Sequence, residues 1–400
     1  MFNILVINSG SSSLKFQVIE IESGELLAKG LCERIGIDGA FTYENVRDGL
    51  DKDKKEVAIP DHRKAIELTI EALTDGSKGV LKSLSEINAV GHRVAHGGEL
   101  FDGSVVVTED VIKRLSTISD LAPLHNPANL AGVASCQELM PGVPNVLTFD
   151  TAFHQTMPPK AYMYAIPRKY YRDYKIRRYG FHGTSHHYVA QTIADHLNKK
   201  LESLKVIVCH LGNGASITAI RDGKSVDTSM GFTPAGGLIM GTRCGDVDPS
   251  VFNYIIKKEG ISGEQADSIV NKESGVLALS GVSSDFRDLW EAKDKGNEDA
   301  AVALDAFIYK VAKTIGSYVA AMNGVDIICF TAGIGENDIR TRAEVLSYFG
   351  YLGITCDAER NNVRGELKEI STPDSKVRCF VVPTNEELMI AKDTYALVKK

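Results

Sequence analysis

Several large classes of protein are excluded by what this 400-residue chain lacks. It has no basic excess, since 45 Lys and Arg stand against 52 Asp and Glu for a formal net charge of -7. That balance argues against a dedicated nucleic-acid partner, although a small anionic substrate needs only local positive charge. It has no Cys-x-x-Cys: Cys32, Cys136, Cys209, Cys244, Cys329, Cys356 and Cys379 are odd in number and scattered. They read as free thiols of a reducing compartment, and a cytoplasmic location is expected. No apolar run approaches bilayer length, and the N-terminal run Ile4–Ile7 stops at Asn8 and a serine cluster. A signal peptide, a membrane span and a membrane partner are therefore not expected. Phosphate-binding consensus sequences are missing too. No G-x-x-x-x-G-K-[ST] occurs, Asp285-Phe286-Arg287 lacks the glycine of D-F-G, and no H-R-D loop accompanies it, so neither a P-loop enzyme nor a protein kinase is expected.

What is present reads as α/β. The chain is 44% apolar and 24% charged, globular in composition and long enough for two domains. Short apolar runs stop at Gly, Asn, Asp or His: Ile4–Ile7, Val90 before Gly91, Val146–Phe149, Val206–Cys209 and Val325–Phe330. Runs of that length bounded by turn residues are buried strands. Helical periodicity marks Asp61–Leu73, His186–Leu197 and the alanine-rich Ala300–Met322, so strands alternate with helices. Residues 4–19 (ILVINSGSSSLKFQVI) and 206–220 (VIVCHLGNGASITAI) each read as an apolar strand, a small-residue turn and an alternating return strand. Two such hairpins in one chain suggest duplicated lobes facing a common cleft; chance similarity between two α/β halves is the alternative.

The hairpin tips carry the first functional signal. Asn8-Ser9-Gly10-Ser11-Ser12-Ser13 crowds backbone N–H groups and hydroxyls together with little side-chain bulk, which suits a phosphate chain as well as it suits a tight polar turn. His210-Leu211-Gly212-Asn213-Gly214 and Gly333-Ile334-Gly335-Glu336-Asn337 repeat that chemistry at the ends of other apolar runs. Three such turns favour a nucleotide cleft of the actin, Hsp70 and sugar-kinase kind. Arg93 and Arg243 lie in glycine-flanked segments, Gly91–Gly98 and Gly241–Gly245. Each is either an oxyanion grip or a structural ion pair. His125, His182 and His210 sit beside Gly, Pro or Asn, and His182 with His186 has the i, i+4 spacing of a zinc pair without the Glu of H-E-x-x-H or a nearby cysteine cluster.

The segments VINSGSSSLKF (6–16) and TFDTAFHQTMP (148–158) resemble the two signature segments of the acetate kinase family of short-chain acyl kinases. The resemblance extends through GHRVAHGG, APLHNPANL, YGFHGTSH, CHLGNGAS, MGTRCGDVDPS, FTAGIGEN and PTNEELMIA, essentially the whole chain. It implies a two-lobed actin/Hsp70/sugar-kinase-like (ribonuclease H-like) fold with duplicated lobes. The expected N-terminal lobe is 1–150 plus 386–400, and the expected nucleotide-binding, homodimerising lobe is 151–385. It implies reversible transfer of a phosphoryl group from ATP to acetate, with Mg2+ or Mn2+ held by Asn8 and Glu386. Lys15, Ser11 and Ser13 would meet the nucleotide, with 210–214, 285–287 and 333–337 as its loops. Asp150, His182, Arg243, Arg93 and His125 resemble the catalytic set. Arg93, Ala95, Leu124, Phe181 and Pro234 would receive the acid, Ala95 departing from a valine in acetate-preferring relatives.

A carboxylate acceptor is already ionised at neutral pH, so no general base is expected. The barrier is electrostatic, and Asp150 is expected to orient magnesium-bound water or the arginines. The rival readings are a sugar kinase and an actin-like or Hsp70-like ATP switch.

Overall fold

The computed structural model describes residues 1–123 and 125–399. The chain divides into two compact units, Met1–Phe153 with Asn385–Lys400, and His154–Thr384.

The first unit is built on an eight-stranded sheet of order β5-β4-β3-β2-β1-β6-β8-β7. Its strands are β1 (Asn3–Ser9), β2 (Ser13–Glu20), β3 (Glu25–Glu33), β4 (Ala40–Asn45), β5 (Asp53–Glu56), β6 (Ile87–Val94), β7 (Val105–Val106) and β8 (Asn145–Phe149). β1 and β2 form an antiparallel hairpin, while β6 and β8 continue the sheet parallel to β1. The run 4–7 is continuously apolar because β1 is covered on both faces. Leu5 and Ile7 pack with Ile66 and Cys136 from the helices His62–Leu73 and Asn126–Leu139. Ile4 and Val6 pack with Ile390 and Ala391 of the C-terminal helix Glu386–Val398.

The strand expected to stop at Val90 instead runs through Gly91 to Val94. Gly91 faces the C-terminal helix, and a Cβ there would lie 2.6 Å from Thr394 Oγ1 and 2.7 Å from Ile390 Cγ2. Glycine is thus a packing requirement inside the strand, and the strand carries Arg93 beyond it.

The second unit has a six-stranded sheet of order β11-β10-β9-β12-β14-β13, from β9 (Lys205–Leu211), β10 (Ala215–Arg221), β11 (Lys224–Thr228), β12 (Ile327–Thr331), β13 (Lys368–Glu369) and β14 (Arg378–Val381). β9 and β10 form an antiparallel hairpin, and β12 and β14 follow parallel to β9. The central order β2-β1-β6-β8 of the first sheet therefore matches β10-β9-β12-β14 of the second, strand direction included. This is the duplication read from residues 4–19 and 206–220. The helix Glu298–Met322 supplies Ala303, Phe307, Val311 and Ile315 to the core over β9 and β10.

Other boundaries differ from expectation too. The helix expected from His186 starts at Gly183, because His182 at φ 56° reverses the chain immediately before it. β12 starts at Ile327 rather than Val325, since Asp326 accepts the Lys205 backbone N–H at 2.8 Å through its side chain and turns the chain there. Among the described residues no helix is long and apolar enough to cross a membrane, and all seven cysteines are free.

Candidate active site

In the first unit the tip between β1 and β2 is closed by the Gly10 N–H donating to Ser13 O at 2.7 Å. The helix Asn126–Leu139 sits so close that a Cβ on Gly132 would lie 2.3 Å from Ser9 Oγ. Asn129 bridges two site segments, its Nδ2 donating to Ser9 O at 2.6 Å and its Oδ1 accepting the Ala95 N–H at 3.1 Å. Ser11 is exposed and Ser13 half-buried at this tip, Ala95 is buried, and His125 is the exposed N-cap of the helix.

Arg93, at the end of β6, meets Asp150, just past β8, through two parallel contacts: Nε to Oδ1 at 3.0 Å and Nη2 to Oδ2 at 2.5 Å. Its Nη1 donates to Asn8 Oδ1 at 3.2 Å. The Asp150 side chain is 3% exposed and that of Arg93 26%, so the pair is anchored inside and open on the arginine side. Asp150 holds the Arg93 guanidinium above its ordinary range. A cavity of about 290 Å³ is lined by Asn8, Lys15, Arg93, Glu386 and Glu387 among others. Burial and the charge of Asp150 push the Glu386 carboxyl up to about 7, against the opposing pull of Arg93. An added cation would relieve that repulsion.

In the second unit, His182 precedes the helix Gly183–His196, and its Nδ1 lies 2.9 Å from Ser216 Oγ. Its ring stacks on His210 at 4.1 Å between centroids, and His210 Nδ1 lies 2.8 Å from Ser185 Oγ. The tip Gly212–Gly214 joins this group directly. A Cβ on Gly214 would lie 3.2 Å from Arg243 Nη1 and 3.7 Å from both Cε1 and Nε2 of His182. Neighbouring Asn213 accepts the Gly241 N–H on its carbonyl at 2.9 Å, and a Cβ on Gly241 would collide with Asn213 Oδ1 at 1.8 Å. Small residues at 212, 214 and 241 let a hairpin tip, a histidine and an arginine converge.

Arg243 is half-buried, and the hydrogen-bond partners of its guanidinium among the described residues are Pro234 O at 3.4 Å and Met240 Sδ at 3.8 Å. Among the described residues no carboxylate pairs with it, and burial pushes its guanidinium below the ordinary value.

The other expected nucleotide positions take part in local structure. Asp285 caps the helix Phe286–Asp294, burying Phe286, and forms a fork with Arg287, which is 86% exposed. Glu336 turns back to accept from the backbone N–H groups of Ala332 and Thr384 at 2.8 and 3.1 Å, fixing the turn in which Ala332 takes φ 63°. Gly333, Ile334, Gly335 and Asn337 belong to the short helix Ala332–Asn337 that follows. Among the acid-wall positions, Phe181 is buried and Pro234 half-buried in this unit, while Leu124 lies outside the described residues.

Sequence reasoning missed Ser216, Ser185 and Asn129. The one usable signal was the His182–His186 spacing, which places both rings on a single hydroxyl: His186 Nε2 lies 2.7 Å from the same Ser216 Oγ.

The acetokinase family model matches residues 3–392. An acetate kinase of Thermoanaerobacterium thermosaccharolyticum is 58% identical over 397 residues, covering 99% of each chain. The crystal structure of Porphyromonas gingivalis acetate kinase superposes with a TM-score of 0.97 at 44% identity over 100% of both chains. That of a propionate kinase from Francisella tularensis gives 0.92 at 41% identity, covering 99% of this chain and 100% of the other. With a family model spanning nearly the whole chain and relatives of this closeness, the chain belongs to the acetokinase family and is a kinase.

Proposed function

We propose that this chain transfers the γ-phosphoryl group of ATP to acetate, reversibly and in line, forming acetyl phosphate and ADP. The observation that carries the reading is the half-buried Arg243 guanidinium, without a carboxylate partner, beside His182 and the small-residue tip at Gly214. A desolvated cation with spare donors binds an oxyanion strongly, and a loose phosphoryl transition state spreads charge over three equatorial oxygens. Arg243 and His182 are assigned to those oxygens, and Arg93 to the acid. His125 is assigned to the same catalytic set by its match to the family motif.

Both Asp150 oxygens are engaged by Arg93, which supports positioning of that arginine over proton abstraction. The acceptor carboxylate has no proton to give up at neutral pH. Lys15, Ser11 and Ser13 with 210–214, 285–287 and 333–337 are assigned to the nucleotide. Asn8 and Glu386 would hold magnesium, which would supply charge neutralisation on the phosphates. The crowded negative charge around Glu386 fits a cation. Among the described residues no three His, Cys, Asp or Glu side chains form a metal-holding group, which fits an ion completed by phosphate oxygens and water. A homodimer through the second unit and a cytoplasmic location complete the proposal. Exposed Val302, Tyr309 and Tyr351 offer apolar surface for the dimer.

Propionate is the alternative acceptor. Ala95 removes two methyl groups relative to valine from the expected acid wall, and the likeness to the Francisella propionate kinase supports the same direction. Incubation with ATP, acetate and hydroxylamine tests the reading: hydroxamate forms only if an acyl phosphate is made. ATP consumption with sugars and no hydroxamate would replace it with a hydroxyl kinase.

A further inference from the structure

We propose that Ser216 is a positioning residue that sets the tautomer of His182. In this arrangement Ser216 accepts the Nε2–H of His186 and donates its own O–H to His182 Nδ1, so that His182 offers Nε2–H toward the Gly214–Arg243 side. The inference rests on the reading of His182 as a donor to the transferring phosphoryl group.

The geometry is a three-member chain with few ways to distribute its protons. Ser216 is fully buried, and its hydroxyl lies 2.9 Å from His182 Nδ1 and 2.7 Å from His186 Nε2, with no other partner among the described residues. A hydroxyl has one proton to donate, and accepting from both rings would leave that buried O–H without a partner, so it donates to one ring and accepts from the other. His186 decides which. It is fully buried, and its Nδ1 has no partner among the described residues. Burial and the neighbouring His154 and His210 push it well below the ordinary histidine range, so its ring is neutral.

A neutral ring carries one N–H. If that proton were on Nδ1, a buried N–H would be left without an acceptor, the kind of orphan that folded proteins avoid most strictly. With the proton on Nε2, the group left alone is an acceptor, which is better tolerated. His186 then donates to Ser216, Ser216 donates to His182 Nδ1, and the remaining His182 proton sits on Nε2. That edge of the ring is the one 3.7 Å from the Cβ position of Gly214, where Arg243 Nη1 also converges. His182 thus acts as an aligned neutral donor beside Arg243, which supplies the charge.

The test combines nitrogen-15 NMR of the full-length protein, labelled at histidine, with steady-state kinetics. His182→Ala assigns the His182 signals. The wild-type spectrum is expected to show His182 Nδ1 unprotonated and Nε2 protonated. Ser216→Ala is expected to mix the two tautomers and to lower kcat about tenfold or more, with KM for acid and nucleotide nearly unchanged. That is less than the full loss of an oxyanion donor, because the donor remains part of the time. His186→Phe should repeat the defect, while His186→Gln, whose amide can donate to Ser216, should recover most of the turnover. These two variants carry the test if Ser216→Ala does not fold. A protonated Nδ1 in the wild type overturns the proposal, as does an unchanged tautomer and kcat in Ser216→Ala. Retained turnover in His182→Ala would sink the donor role itself, a result distinguishable from failure of the relay because the NMR readout is independent of activity.

Discussion

Arg93 and Arg243 look alike in sequence, each an arginine among glycines, yet the two units treat them in opposite ways. In the first unit Arg93 is forked onto Asp150 and reaches Asn8, so its charge is neutralised locally and its direction is set. In the second, the Arg243 guanidinium touches one carbonyl and one sulfur, and no carboxylate among the described residues matches its charge. A paired arginine is a rigid aligning device. A half-buried one that no carboxylate among the described residues meets keeps donors to spare, and this is why Arg243 is the one proposed above to take an anion. The comparison teaches that the same residue type can carry precision in one unit and charge in the other.

The largest effects should come from removing each arginine. Arg243→Ala is expected to lower kcat about 10²–10³-fold with little change in Tm, because no ion pair is broken. Arg93→Ala should lose most turnover as well, but should also destabilise the first unit by about 3–5 kcal/mol, since a nearly buried Asp150 is left uncompensated. Calorimetry and single-turnover kinetics on both variants check this, and equal Tm shifts would break the contrast.

Asp150→Asn sharpens it. The neutral isostere should impair turnover by loosening Arg93 while leaving both limbs of the pH–rate profile. Disappearance of one basic limb alone would move Asp150 from positioning to proton transfer.

A smaller effect compares the units through one buried histidine each. His92 is 2% exposed and His154 fully buried, and burial lowers both from 6.5 to about 4. Between those values the unfolded chain binds protons that the folded chain does not. Stability is therefore fully present above pH 6.5 and falls as pH drops toward 4, by roughly 3 kcal/mol for each. Denaturant melts at pH 7.5 and 5 should show the loss, and His92→Gln and His154→Gln should each remove their own part of it, while buried His186 keeps a further part in the second unit.

The smallest expected effect concerns the acid. Ala95→Val should shift the ratio of kcat/KM for acetate over propionate by roughly 1 kcal/mol toward acetate. An unchanged ratio would remove this position from the choice of acid.

Much of the architecture was readable because it depends on local pattern. The runs 4–7 and 146–149 and the hairpins 4–19 and 206–220 declare their strands by apolar content and turn residues, and helical periodicity marks 61–73 and 300–322. Gly91 misled because a glycine inside a strand looks like a terminator until the helix that needs the space is seen. The start of the helix at Gly183 was hidden for a related reason: the left-handed conformation of His182 is imposed by its surroundings, and a non-glycine residue seldom announces it.

Composition, periodicity and small-residue turns, all properties of neighbours along the chain, determined the α/β class, the duplicated hairpins and the chemical character of the tips. Tertiary structure alone decided which charges meet. Arg93 and Asp150 are 57 residues apart and are joined because β6 and β8 are adjacent parallel strands ending at the same level. Ser216 comes to His182 and His186 because β10 presents its side chain to the start of a helix 30 residues earlier in the chain. Pairing across such separations is fixed by strand register and helix packing, which act through space, and no local pattern encodes whether an arginine will find a carboxylate or keep its charge.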